Sequence, residues 1–282
     1  MSFQRPIVPA GTAARADLAR LGHRNLIKFW RESTHWGQTG EFCETDRMLL
    51  FATGSSALPG YNGAFRLVPD VAARDLLDAS DDFFLSLGRG YSIKVRDTGE
   101  DDDLRAGCRQ RRMVSFGAGS AAMALSGRPP AHVLPPGVDI REVTTEADVA
   151  AFIGVNQLAY SSYGTPPEEV EAMFSRPAGL LASRAVVSVV ARSDGLPIAA
   201  AQTFLSDGIG GIYWVGTVPE MRGRGIGDWV SRAATNTVFD RGGDASILQA
   251  SPMAEPIYRV MGYETLYRYQ TYVRVPPANE SS

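Results

Sequence analysis

The chain alternates between two hydrophobic periods, and the alternation outlines its elements before any motif is considered. From Ala16 to Arg31 apolar residues recur at helical spacing, with Leu18, Leu21, Leu26, Phe29 and Trp30 on one face. β-forming runs follow at Arg47–Ala52 and Ala64–Val68, separated by a Gly/Ser/Pro loop at Gly54–Gly63. Asp70 is placed to cap a helix running to about Leu87, with Val71, Leu76, Leu77, Phe83 and Phe84 inside. Tyr91–Val95 reads as a strand. The acidic run Glu100–Asp103 reads as the start of a helix, where carboxylates complement the positive end. Met113–Phe116 and Ala121–Leu125 read as two closing strands.

Gly127–Gly137, with four prolines in eleven residues, is the clearest linker and divides the chain almost in half. Beyond it Val138–Val143 reads as a strand, and Thr145 caps a helix Glu146–Leu158. Pro166 and Pro167 open a second helix that ends near Phe174. Ala185–Arg192, Pro197–Leu205 and Ile209–Thr217 form consecutive strands, joined by tight turns at Asp194-Gly195 and Asp207-Gly208. An amphipathic helix over Gly227–Arg241 carries Val230, Ala233, Ala234, Thr237 and Val238 on one face. Ser246–Ala250 is a short strand, and a helix begins at Glu255 or Pro256 and ends before Gly262. Tyr263–Val275 holds the closing strands. Residues 1–14, rich in Pro, Ala and Gly, read as poorly ordered, and 276–282 as a tail.

Composition narrows the function without naming it. Apolar residues make up 44% of 282 and charged residues 21%, enough for a core in one large or two ordinary domains. A net charge of −3 argues against broad nucleic-acid binding. Cys43 and Cys108, and His23, His35 and His132, are too scattered for a metal site, and reduced thiols in a cytoplasmic protein are expected. No signal peptide is recognisable, and no apolar run approaches the ~20 residues needed to cross a bilayer. Oligomeric state, a homodimer included, stays open.

The stretch Val215-Gly-Thr-Val-Pro-Glu-Met-Arg-Gly-Arg-Gly-Ile-Gly227 carries the most specific chemistry. A strand ends at Pro219, and a turn with glycines at 223, 225 and 227 opens the next helix. Glycines let the backbone approach a ligand, and free N–H groups at a helix start attract phosphate. Arg222 and Arg224 can add charge-assisted hydrogen bonds. A structural surface turn is one reading of these residues. A dinucleotide fingerprint needs Gly or Ala where Asp228 stands, and a P-loop needs a following Gly-Lys-Ser/Thr.

Arg222-x-x-Gly225-x-Gly227 after such a strand resembles the pyrophosphate turn of the GCN5-related N-acetyltransferases (GNAT superfamily). The segment Leu248–Tyr263, ending in Tyr258-x-x-x-Gly262-aromatic, is similar to that family's second signature. The resemblance spans about Val138 to Val275 and implies an α/β fold with a mixed sheet. It implies acetyl-CoA as cosubstrate without a metal, and transfer of acetyl to a primary amine on a small molecule or peptide. It also implies roles. Val215, Gly216 and Thr217 supply backbone contacts to the cofactor. Arg222, Gly223, Arg224, Gly225, Ile226 and Gly227 grip its pyrophosphate, and Tyr258 protonates the thiolate. Ser251 stands where many relatives have a cofactor-contacting asparagine, and it could instead cap a turn. Taken apart from the motif, Tyr258 would more often be a core or interface tyrosine whose hydroxyl finds a partner. In that case the chain would be a non-catalytic acyl-CoA sensor. A longer acyl group or a protein N-terminal amine is a further alternative. Glu255 and Asp207 are the nearest carboxylates in the motif map, and no base is assigned.

Residues 16–126 show a similar order of elements and suggest a degenerate second module of that family, giving a tandem fold with residues 138–275 catalytic. The phosphate turn is missing there, since Pro69 alone separates Val68 from Asp70. That half reads as a scaffold, lid or substrate-recognition domain. Trp30, Trp36, Phe42 and Tyr61 are candidates to line a cleft, with core packing the commoner fate.

Overall fold

A computed structural model describes residues 12–57, 60–134 and 136–275. The N-terminal residues 1–11, Pro135 of the linker and the tail 276–282 lie outside the described residues. The first half runs α1 (Thr12–Ser33), β1 (Glu41–Glu44), β2 (Met48–Ala52), β3 (Asn62–Arg66), α2 (Ala73–Ser86), β4 (Tyr91–Arg96), α3 (Asp102–Gln110) and β5 (Val114–Leu125). The second opens with β6 (Val138–Glu142), α4 (Glu146–Ser161), α5 (Pro167–Met173) and α6 (Pro177–Ala182). It continues through β7 (Val186–Ser193), β8 (Leu196–Ser206), β9 (Ile209–Thr217), α7 (Ile226–Asp240), β10 (Ala245–Ala250), α8 (Glu255–Val260) and β11 (Glu264–Arg274).

All of these strands join one mixed sheet among the described residues, in the order β1-β2-β3-β4-β11-β5-β10-β9-β8-β7-β6. Both halves pass through strand, helix, parallel strand, helix, strand: β3–α2–β4–α3–β5 in the first and β9–α7–β10–α8–β11 in the second. Their last strands are exchanged. β11 lies between β4 and β5 of the first half, and β5 lies against β10 of the second.

Local chemistry explains most of the boundaries. Thr145 and Asp148 close a capping box at the head of α4, each side chain satisfying a backbone N–H of the other. The turns Asp194-Gly195 and Asp207-Gly208 hold positive φ at both residues, as a two-residue hairpin requires. Three expectations need correction. Asp70 is not the cap of α2, because the helix starts at Ala73 behind Ala72, and the Asp70 carboxylate pairs with Arg47 at 3.2 Å. The two closing strands expected at Met113–Phe116 and Ala121–Leu125 are one strand, β5. Gly117 and Gly119 adopt φ of 62° and 78° and bulge the strand without ending it. A Cβ on Gly119 would lie 2.5 Å from the Tyr269 carbonyl, so β11 can pass that closely only beside a glycine. Likewise Tyr263–Val275 yields a single strand, β11, with irregular register after Thr265 and Tyr269. β1, α6 and the last turn of α4 were not anticipated.

The largest core cluster crosses the line between the halves, with Phe29 and Trp36 packed among Phe152, Phe174, Tyr213 and Trp214. A second core lies between α2, α3 and the opposite face of β4.

Candidate functional site

The site begins where two parallel strands separate. β9 and β10 pair in register from Ile209/Ala245 to Ile212/Leu248, and beyond that point the pairing stops. On its other edge β9 stays attached to β8, with a bulge between the Ala200–Gly216 and Gln202–Tyr213 pairs. Trp214 sits in that bulge at φ 48°, a backbone state that costs a non-glycine residue of order 1–3 kcal/mol. Its ring is 6% exposed, stacks on Tyr61 at 5.7 Å and meets Phe174 and Tyr160 edge-on, so packing holds the strained backbone in place. The Val218 N–H donates to the Ile198 carbonyl on the β8 side. Alternation along a strand therefore turns the backbone groups of Val215 and Thr217 the other way, toward the opening. Gly216 faces α4, and a Cβ there would lie 2.8 Å from Ala159 Cβ.

The glycine turn follows directly. Gly223 and Gly225 take φ of 72° and 76°, and Gly225 is the N-cap of α7. Among the described residues the amides of Gly223 to Gly227 donate to no carbonyl outside regular elements, so the turn presents a row of free donors at a helix start. The two arginines differ. Arg222 donates through Nε to the Thr217 carbonyl at 3.2 Å, and through Nη2 to the Ala159 carbonyl at 3.0 Å and Ser162 Oγ at 2.7 Å. Its guanidinium lies over the Tyr163 ring at 5.0 Å. It ties the end of β9 to the C-terminus of α4, where partial negative charge collects. Arg224 is exposed and forms no ion pair with a described residue.

A cavity of about 700 Å³ opens between the separated strands. Val215, Ser251 and Tyr258 line it from the second half, as do Tyr160 and Tyr163 of the α4 end. Tyr258 is 7% exposed; burial pushes its phenol pKa up while the Ser231 hydroxyl pulls against that shift, so it is protonated at neutral pH. Ser251 accepts a hydrogen bond from the Ala254 N–H at 3.3 Å, so its hydroxyl shapes the loop before α8 while its residue borders the cavity.

The first half forms the opposite wall. Phe29, Trp30, Gly60, Tyr61 and Lys94 all border the cavity. Of the aromatic candidates, Trp30 and Tyr61 are thus at the cleft, whereas Trp36 is fully buried in the core and Phe42 is exposed beside Arg31. The Tyr213 ring stacks on Phe29 at 3.6 Å, and its hydroxyl donates to Asn25 Oδ1 at 2.8 Å, which fixes α1 against β9. Glu169 of α5 holds the loop before β3. It accepts from Ser55 Oγ, Ser56 N and Ser56 Oγ, each at 2.7 Å, and from Ala57 N at 3.2 Å.

The carboxylates of the motif map lie elsewhere. Glu255 is bound by Arg259 at 2.7 Å and Arg268 at 2.8 Å, and Asp207 by Lys28 at 2.7 Å. Neither borders the cavity. Lys94 and Tyr160 were missed. Both occupy ordinary positions in a strand and a helix, and only the tertiary fold brings them to the site. Among the described residues no group of three or more His, Cys, Asp or Glu side chains is arranged to hold a metal ion, and no helix is long and apolar enough to cross a membrane.

Comparison with known proteins identifies the fold. Residues 208–266, from the turn before β9 into β11, match the family described as Acetyltransferase (GNAT) domain. No curated protein matches the chain. Among solved structures, a GCN5-related N-acetyltransferase from Kribbella flavida is similar at 19% identity and a TM-score of 0.65, over 97% of this chain and 99% of that one. A GCN5-related N-acetyltransferase from Sphaerobacter thermophilus is similar at 17% identity and 0.57, over 82% of each chain. A tandem GNAT protein from the clavulanic acid biosynthesis pathway is similar at 14% and 0.56, over 83% of this chain and 80% of that one. At these identities the likeness is one of fold.

Proposed function

We propose that this chain, which has the fold of the GNAT acetyltransferases and carries their domain at residues 208–266, is an acetyl-CoA-dependent N-acetyltransferase acting on a primary amine. One observation carries the reading. The opening between β9 and β10 has the donor-rich turn Gly223–Gly227 at one end and the buried phenol of Tyr258 at the cavity.

Each part has a task in that reaction. The free amides of the turn, with Arg224, hold the pyrophosphate. The N–H groups of Val215 and Thr217 pair with the pantetheine and acyl carbonyl, as a missing neighbour strand would. The acceptor nitrogen forms its bond to the thioester carbon, and the carbon–sulfur bond breaks. Tyr258 gives its proton to the departing sulfur and regains one from solvent. The nitrogen loses its proton to water in the cavity, since Glu255 and Asp207 are engaged elsewhere. Holding both reactants in near-attack geometry is worth ~7–11 kcal/mol, and a positioned acid adds roughly 10²–10⁴-fold.

Calorimetry with acetyl-CoA tests the first step, and absence of binding at millimolar cofactor would sink the reading. Thiol release with an amine panel tests the second. Tyr258→Phe is expected to keep acetyl-CoA affinity within a few-fold and to lower kcat by about 10²–10⁴. Raised by burial above its usual value of 10.0, the phenol holds its proton through the whole neutral range. Tyr258 therefore introduces no loss of activity below about pH 10.

A further inference from the structure

The first half places one cation on the wall of the cavity, and its surroundings point to the acceptor. On β4, Tyr91, Ile93 and Val95 are buried in the core beneath α2 and α3, so Ser92, Lys94 and Arg96 point the other way. Ser92 is taken by the Asn62 carbonyl at 3.1 Å, and Arg96 by Asp101 at 2.8 Å and Glu100 at 2.7 Å. Lys94, between them, borders the cavity, and its ammonium has no ion pair or hydrogen bond with any described residue. Its Nζ stands 3.9 Å from where a Cβ on Gly60 would be, so the glycine leaves the approach to the ammonium open.

The neighbouring groups do not neutralise it. Glu169, the acid that anchors the adjoining loop, has its carboxylate filled by Ser55, Ser56 and Ala57. Trp30 is 91% buried by its 9% exposure, borders the same cavity, and its Nε1–H has no partner among the described residues. This wall therefore offers a lone cation among aromatic faces. A half-buried ammonium without a counter-ion is costly, and burial already lowers the Lys94 pKa to about 8. A ligand carboxylate would offset that cost and hold the charged form more firmly.

We infer that Lys94 recognises a carboxylate on the acceptor, so that the substrate class is an amine with an aromatic or apolar body and a carboxylate, as in an amino acid. The inference rests on the N-acetyltransferase reading above. The acceptor would lie with its carboxylate toward Lys94, its neighbouring amine toward the reacting thioester, and its apolar body along the aromatic lining of the same cavity. A single monovalent partner suits a single ammonium, whereas a polyamine would add positive charge beside it.

The test uses the full chain, acetyl-CoA, and matched pairs differing only in the carboxylate: tyrosine with tyramine, tryptophan with tryptamine, phenylalanine with phenethylamine. Thiol release gives kcat/KM for each. The acid is expected to exceed its amine counterpart. Lys94→Met should lower that acid-to-amine ratio by about 10- to 150-fold, the size of a hydrogen bond to a charged group, mainly through KM. Lys94→Arg should retain most of the ratio, since it keeps the cation. Equal effects of Lys94→Met on both members, or a wild-type preference for the decarboxylated amines, would overturn the inference. So would abolition of turnover by Lys94→Arg together with loss of a rate limb near pH 8, which would mark Lys94 as a base. No turnover with any pair while acetyl-CoA still binds overturns this acceptor class alone. Absence of acetyl-CoA binding overturns the reading beneath it.

Discussion

Arg222→Ala separates a residue that builds the phosphate turn from one that meets the phosphate. The guanidinium spans the Thr217 carbonyl at 3.2 Å, the Ala159 carbonyl at 3.0 Å and Ser162 Oγ at 2.7 Å, above the Tyr163 ring at 5.0 Å. Hydrogen bonds from a charged donor are worth up to about 3 kcal/mol each, but this side chain is half-buried and water replaces part of what is lost. A net loss of about 2–3 kcal/mol is expected, a melting temperature lower by roughly 3–5 °C in a chain of this size. Arg222→Lys should recover less than half of it, because a point charge cannot fork to three acceptors. Arg224→Ala, at an exposed position, should shift stability by less than about 0.5 kcal/mol. It should weaken acetyl-CoA binding by about 5-fold, and by less at high salt. Thermal unfolding and calorimetry on the three variants give both quantities. A melting temperature for Arg222→Ala within 1 °C of wild type (on the order of the smallest shift a lost hydrogen bond gives), with acetyl-CoA affinity sharply reduced, would refute the clamp and make Arg222 a phosphate ligand.

Asn25→Ala leaves the Tyr213 hydroxyl, the Phe204 carbonyl and Ser206 Oγ without their partner in a buried site. Denaturant unfolding should show a loss of about 2–4 kcal/mol, and a loss below about 0.5 would contradict the network. Gly216→Ala puts a Cβ 2.8 Å from Ala159 Cβ and 3.1 Å from Asn156 Oδ1, so α4 must shift from β9; a cost of about 1–3 kcal/mol and weaker acetyl-CoA binding are expected, and unchanged melting would count against it. Burial raises the Glu169 pKa, but the Ser56 and Ser55 hydroxyls and the Ser56 and Ala57 amides outweigh it and hold the carboxyl below its usual 4.5. Its contribution to stability is therefore present above about pH 4.5 and lost as pH falls through the lower folded value. The unfolding difference between wild type and Glu169→Gln should be full at pH 7 and shrink toward pH 3 (roughly one unit below a free carboxyl); a difference independent of pH would refute it. A fragment of residues 138–275 loses β5 beside β10 and both strands flanking β11. It should fail to give a cooperative melt, and a soluble, cooperatively folding fragment would show that the exchanged strands are dispensable.

What could be read from the sequence was local. The strand Ile209–Thr217, both hairpin turns and the Thr145 cap depend on neighbours in the chain, where turn chemistry and capping act directly. The glycine turn was equally legible, because Gly223 and Gly225 hold conformations that few other residues adopt. The roles of its two arginines were not. Nothing in Arg-Gly-Arg says that one guanidinium reaches back to α4 while the other stays in solvent. Non-local pairing was invisible for the same reason. β11 runs between β4 and β5, yet no residue in Glu264–Arg274 names a partner strand. Gly117 and Gly119 read as a break because their use, letting Tyr269 pass at close range, depends on a strand about 150 residues away. Lys94 is the sharpest case. In sequence it is one of three polar residues alternating along β4, equivalent to Ser92 and Arg96. In the fold its neighbours find partners and it does not, and that difference alone marks it as a residue that waits for a ligand. The exchanged strands explain why such a residue lies in the half without the phosphate turn. With both halves in one sheet, only β11 and β5 separate β4 from β10, and the Lys94 side chain borders the same cavity as the parted strands, so the first half can supply acceptor contacts while the second supplies the cofactor grip.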